Sequence, residues 1–187
     1  MARLRDEILD VALERGGPYE FAGGDIANNK LNTDRLHSNR ELQSRIVERL
    51  GYLALSFKAD ALIPVPDGGN KWAELIADLI KKPVCYLRKV EATPGLRTYD
   101  FATDWFEKVT EKKEKIMIVD DVGNRLTSIK GVMEIPIIAK RAVLVGGIWM
   151  RGEQGVTQQV DIRQKWLVEE YIPPMLPENS ELWKHAS

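Results

Sequence analysis

Lys115-Ile-Met-Ile-Val-Asp-Asp-Val-Gly-Asn-Arg-Leu-Thr-Ser128 is the stretch whose reading decides the fold. Four apolar residues, Ile116 to Val119, run directly into two acids, Asp120 and Asp121. A short polar turn follows, and then Thr127 and Ser128, both good helix-starting residues. This reads as a buried strand, two carboxylates at its carboxyl end, a turn and the start of a helix. Adjacent acids beside unpaired backbone N–H groups offer acceptors for hydroxyls and donors for a phosphate, as a sugar phosphate requires. One aspartate could merely cap the helix. Two like charges at the end of an apolar strand cost repulsion and desolvation, which favours a functional pair.

Outward from this stretch, apolar strands alternate with amphipathic helices. Ala61-Leu-Ile-Pro-Val65 reads as a buried strand, Pro66-Asp-Gly-Gly-Asn70 as a sharp turn, and Trp72, Leu75, Ile76, Leu79 and Ile80 mark a helix. Pro83 to Leu87 reads as the next strand, and 88–105, with Pro94 and Gly95, as a loop. After the acids, a helix from about Thr127 is broken by Pro136, and Ala142 to Trp149 forms another apolar strand. Nearer the N-terminus, Leu4, Ile8, Leu9, Val11 and Ala12 give a helix that Gly16-Gly17-Pro18 ends. A weak strand lies around Tyr19 to Ala22. Ser38 with Glu41 forms a capping box for a helix lined by Leu42, Ile46, Leu50 and Leu53. The alternation predicts an α/β protein with a Rossmann-like parallel sheet flanked by helices. Ligands of such sheets gather at the carboxyl ends of the strands, where the motifs fall.

The 187 residues fit one domain. Its core runs over about 40–155, with a hood from about 1–36 to which 156–187 would add, anchored by Trp166 and Trp183. A 44% hydrophobic and 29% charged composition is that of an ordinary globular chain. The single cysteine, Cys85, excludes an intrachain disulfide and sits in an apolar run, as a buried structural thiol does. With no signal-peptide pattern and no apolar run of membrane-spanning length, a cytoplasmic location is expected. A net charge of −1 gives no case for nucleic-acid binding, and the mixed run Glu111-Lys-Lys-Glu-Lys115 reads as a solvated turn.

Three further motifs accompany the acids. Asp67-Gly-Gly69 before a helix lets backbone N–H groups approach an anion, although it also serves as a generic tight turn. Arg88-Lys89 would neutralise a pyrophosphate-sized charge, or stand as solvated surface cations. Arg151 follows the last apolar strand, where a rim arginine in a salt bridge is equally plausible.

In this order the motifs resemble the type I phosphoribosyltransferases, and among them the orotate phosphoribosyltransferases, from about residue 8 to 155. Gly17-Pro-Tyr-Glu-Phe-Ala-Gly-Gly24 is similar to that family's N-terminal Gly-x-Phe-x-Leu-x-Ser-Gly segment. Asp67, Gly68 and Gly69 resemble its pyrophosphate loop, Arg88 and Lys89 the basic pair opening its catalytic loop, and Arg151 its base-binding arginine. The resemblance implies phosphoribosyl pyrophosphate as donor, with Mg2+ carried by the substrate rather than bound by the protein directly. Asp120 and Asp121 would hold the ribose hydroxyls. Gly123, Asn124, Arg125, Leu126, Thr127 and Ser128 would wrap the 5′-phosphate while a nitrogenous base displaces pyrophosphate. It also implies a homodimer. The sequence departs from the pattern at Leu126, where the family's Thr-Thr-Gly-Gly turn has a glycine, with Arg125 placed to compensate. It departs again at Val90-Glu-Ala-Thr-Pro-Gly95, where only the glycine of the mobile loop remains and Arg97 is the nearest cation. Gly23-Gly24 replaces Ser-Gly after Ala22. Three readings follow: an active transferase, a non-catalytic relative that binds a phosphoribosyl compound or nucleotide, and a structural or partner-binding protein.

Overall fold

The computed structural model describes residues 3–20, 26–90, 98–152 and 160–169. Outside them lie Phe21 to Gly24 of the N-terminal motif, the loop 91–97 with Arg97, and Trp183. Helix α1, Leu4–Ala12, turns Ile8 and Ala12 into the core. Gly16-Gly17-Pro18 does not end it. The helix stops at Ala12, and the chain continues as β1, Leu13–Glu20, antiparallel to β2, Ile26–Leu31. Register slips between Arg15 and Tyr19, with Gly16 at φ 93°, so the glycines form an irregularity within a strand.

Helix α2, Thr33–Ser38, lies inside the polar stretch that carries no clear helical pattern. It exists because Asn32 caps it, the side chain accepting from Asp34 N–H at 3.1 Å, and because Leu36 is fully buried. Helix α3, Arg40–Ser56, is capped by Asn39, which accepts from Leu42 N–H at 3.2 Å. Ser38 does not cap it; its hydroxyl donates to the Asp34 carbonyl and closes α2 instead. Leu42, Ile46 and Leu50 face the core as their spacing predicts.

Strand β3, Ala61–Pro64, leads into α4, Gly68–Ile80. Pro83 to Leu87 forms only a single parallel bridge, Leu62 to Val84; the true strand, β4, is Leu87–Val90. It pairs antiparallel with β5, Thr98–Phe101, inside the expected loop. Helix α5, Asp104–Glu111, follows. Arg141 then closes its end by donating to the carbonyls of Thr110, Glu111 and Lys113. Strand β6, Ile116–Gly123, carries on through both acids. Helices α6, Thr127–Met133, and α7, Pro136–Arg141, are separated at Pro136, which starts the second as its first residue. Strands β7, Ala142–Met150, and β8, Gln164–Glu169, are the last elements among the described residues.

The main sheet is parallel in the order β3-β6-β7-β8. Its pleat divides the core. Met117 and Val119 pack with Ile8, Leu50, Trp72 and Ile76, while Ile116 and Ile118 pack with Leu87, Phe101, Ile129 and Ile138. Both faces are therefore covered, which is why the strands read as continuous apolar runs. Cys85 is fully buried, and burial pushes its thiol pKa up. Among the described residues no helix is long and apolar enough to cross a membrane.

Helix α4 approaches β6 so closely that a side chain at Gly69 would meet the Val119 carbonyl oxygen at 2.3 Å. That carbonyl also accepts from Val65 N–H at 2.8 Å, so it cannot yield. At Gly146 the obstacle is the flexible methyl end of Met117, at 2.1 Å. Gly69→Ala is expected to cost about 3 kcal/mol and Gly146→Ala about 1 kcal/mol, read from urea unfolding. Equal losses would show that the helix–strand contact is not the tighter constraint.

Candidate active site

The carboxyl ends of β3, β6 and β7 bring the sequence motifs together. Asp120 is 5% exposed, and its Oδ1 accepts from Asp121 N–H at 3.0 Å. Asp121 accepts from Val122 N–H through Oδ1 at 2.7 Å. Neither acid projects from the surface. The Asp121 carboxylate lies over Gly68, where a built Cβ would stand 2.3 Å from Oδ2. Gly68 thus has a reason apart from any ligand: it leaves room for the acid at the start of α4. Burial pushes the Asp121 pKa above its ordinary value of 3.8, against the lowering effect of Val122 N–H and the Thr33 hydroxyl.

Thr33 is a contact that sequence reasoning missed. It opens α2, and its hydroxyl donates to Asp121 Oδ2 at 3.4 Å across 88 positions of chain. One turn on, the His37 ring stacks on Trp72 of α4 with centroids 4.1 Å apart. Burial, with Lys71 nearby, lowers the His37 pKa. No local pattern marks either residue as functional. The only signal is the Asn32 cap that starts a short helix in a polar stretch.

Lys89 Nζ meets Asp67 Oδ2 at 2.7 Å, which joins β4 to the start of α4 and brings the basic strand to the glycine turn. Both side chains are exposed, so the pair contributes under about 1 kcal/mol. Arg88 does not accompany its neighbour. Successive strand residues point to opposite faces, and Arg88 pairs with Asp100 on β5 at 3.0 Å.

Residues 123–128 form a turn with a defined backbone. Leu126 adopts the left-handed conformation, φ 56° and ψ 19°, that a glycine would take most easily. Its side chain is 3% exposed and packs inward beside Gly123 in the layer that includes Trp166. Burying a leucine contributes about 2 kcal/mol, against about 1 kcal/mol for the backbone strain, so the bulky residue is tolerated. Its neighbours in the turn are less buried. Arg125 and Thr127 are exposed there, with Asn124 and Ser128 partly so. Arg151 is 5% exposed rather than a rim residue, and its N–H donates to the Gly123 carbonyl at 2.7 Å. Gly152 lies directly against the Asn124 carbonyl, so the β7 end forms one wall of the turn.

No protein-family model matches the chain, and no curated protein matches it by sequence. Solved structures do match it in fold. Orotate phosphoribosyltransferase from Aeropyrum pernix superposes with a TM-score of 0.64 at 20% identity, over 89% of this chain and 93% of that one. Adenine phosphoribosyltransferase from Trypanosoma brucei, in complex with AMP, pyrophosphate and ribose-5-phosphate, gives 0.66 at 14% identity, over 95% and 87%. Orotate phosphoribosyltransferase from Mycobacterium tuberculosis H37Rv gives 0.61 at 11% identity, over 89% and 94%.

Leu126→Gly is expected to destabilise the protein by about 2 kcal/mol in urea unfolding, because lost burial exceeds relieved strain. A more stable variant would overturn this account of the turn. For Asp121 the folded-state pKa lies above the unfolded one. Folding is therefore penalised as pH rises through the interval from the ordinary 3.8 to the folded value, and the penalty persists at neutral pH. Asp121→Asn should accordingly melt at or above the wild-type temperature at pH 7, with the difference vanishing below the ordinary value. A clearly lower melting temperature at pH 7 would contradict the burial argument.

Proposed function

From the type I phosphoribosyltransferase fold of this chain, we propose that it transfers a phosphoribosyl group from phosphoribosyl pyrophosphate to a nitrogenous base, orotate-type, releasing pyrophosphate. The observation that carries this reading is the gathering of the acid pair, the glycine turn and the 123–128 turn at the carboxyl ends of β3 and β6, with Asp121 lying over Gly68 at the start of α4. Acid pair, glycine turn and phosphate turn then line one rim of the sheet, where ligands of parallel sheets bind.

Asp120 and Asp121 accept the ribose hydroxyls. The turn from Gly123 to Ser128 takes the 5′-phosphate through its backbone N–H groups, and Arg125 adds a guanidinium in place of the missing glycine contacts. Asp67, Gly68 and Gly69, with Lys89, face the pyrophosphate, Arg88 would join them only by leaving Asp100, and Arg151 lies toward the base. In the reaction the bond from C1 of the ribose to the pyrophosphate oxygen breaks, and its electron pair leaves with pyrophosphate. The nitrogen lone pair of the base forms the new C1–N bond, and the proton on that nitrogen passes to solvent. Positive charge develops on the ring, and the buried carboxylates stabilise it. Among the described residues no group of three or more His, Cys, Asp or Glu side chains could hold a metal ion. Mg2+ would arrive on the diphosphate and neutralise the leaving group. The proposal places the protein in the cytoplasm as a homodimer.

A second reading, a binding relative without transfer, is favoured by one observation: Arg88 pairs with Asp100 instead of joining Lys89 at Asp67. One titration separates the two. Magnesium and phosphoribosyl pyrophosphate at a hundredfold excess over the dissociation constant should stabilise the protein by about 2.7 kcal/mol. Pyrophosphate release with a panel of bases, orotate first, supports transfer; stabilisation without release supports the binding relative. No stabilisation leaves a structural role. Asp120→Asn with Asp121→Asn should abolish the shift while the protein stays folded, and normal binding by that variant would remove the acids from the site.

A further inference from the structure

Three elements distant in sequence hold the Asp121 carboxylate. Val122 N–H of its own strand takes Oδ1, Gly68 of α4 leaves it space, and the Thr33 hydroxyl of α2 takes Oδ2. Thr33 is itself fixed from several directions. Asn32 donates to Glu14 of β1 at 2.7 Å, and Glu14 pairs with Lys30 of β2 at 3.3 Å and Arg35 of α2 at 3.0 Å. Leu36 is buried, His37 stacks on Trp72, and Gln43 of α3 bonds the His37 ring at 2.9 Å. β1, α3 and α4 therefore anchor α2, and its first residue bonds the acid.

We infer that Thr33 is a positioning residue: its hydroxyl orients the Asp121 carboxylate so that its remaining lone pairs face the ribose hydroxyls. The inference rests on the phosphoribosyl reading and adds that the N-terminal elements set the acid. An ionised carboxylate has about four acceptor directions. Val122 N–H and the Thr33 hydroxyl hold one oxygen each, and Asp121's own N–H and the Asp120 side chain also lie against the carboxylate, so the Thr33 bond selects which face of it is turned outward. The docking of α2 does not need the hydroxyl, since Leu36 already buries it in the core cluster. The hydroxyl also favours the ionised acid, opposing burial. The charged and titratable groups on the elements around Asp121 are Asp120 on β6, Asp34, Arg35 and His37 on α2, Lys71, Glu74 and Asp78 on α4 with Asp67 at its cap, and Arg88 and Lys89 on β4, Lys89 bonded to Asp67 and Arg88 to Asp100.

The test compares wild type, Thr33→Val and Thr33→Ser by calorimetric binding of ribose 5-phosphate and of magnesium with phosphoribosyl pyrophosphate, from pH 5 to 8. Thr33→Val should weaken ribose 5-phosphate about tenfold, the loss typical of a hydrogen bond to a charged group. It should also move the acid limb of the binding profile to higher pH, because the carboxyl then protonates more readily. Thr33→Ser should restore both. Thr33→Ala gives the same reading if valine misfits. Wild-type affinity and an unshifted acid limb in Thr33→Val and Thr33→Ala would overturn the inference, as would failure of serine to restore them. If wild type binds neither probe, the phosphoribosyl reading fails and this one falls with it.

Discussion

Backbone contact between the start of α4 and the middle of β6 constrains everything at the candidate site. The Val119 carbonyl accepts from Val65 and lies where a side chain at Gly69 would be. One residue earlier, Gly68 leaves the same kind of space for the Asp121 carboxylate. Two adjacent glycines thus allow a helix to start almost on top of a strand, with an acid between them. The pair is explained by packing before any ligand is considered. The same packing sets the Asp121 carboxylate against the first turn of α4.

Keeping that acid has a cost. Burial raises the Asp121 pKa, so the charged form is held against a desolvation penalty and offset only in part by Val122 N–H and the Thr33 hydroxyl. Stability alone would favour a neutral residue at this position. Leu126 makes a related bargain in the opposite direction. It accepts a strained backbone and recovers more by burial beside Gly123 and the Trp166 layer, which preserves the turn without the glycine.

Legibility followed the range of the interactions. The apolar runs of β3, β6 and β7, and the faces of α3 and α4, depend on periodicity within one element and were readable from local pattern. Strand β8 and the β4–β5 ribbon depend on pairing across the chain and were not. Gly16-Gly17-Pro18 has the look of a helix stop, yet β2 pairing carries the chain through it as a strand. Ser38 and Asn39 are both good caps, and only the observed hydrogen bonds separate their roles. Asp120, Asp121 and Asp67 stand at the end of an apolar strand or in the turn after it and were readable from local pattern, whereas Lys89 lies within the exposed β4 and its meeting with Asp67 was not.

By itself the sequence determined a parallel α/β sheet with an acid pair at one strand end and a glycine turn at another. Local side-chain pattern is enough for that, since each strand must bury both faces and each helix one. Only the tertiary structure decided that Lys89 meets Asp67 while Arg88 turns away to Asp100, that Leu126 packs inward, and that Thr33 reaches Asp121. Those outcomes depend on strand register and on how α2 docks, and register is a property of paired chain segments rather than of any one segment.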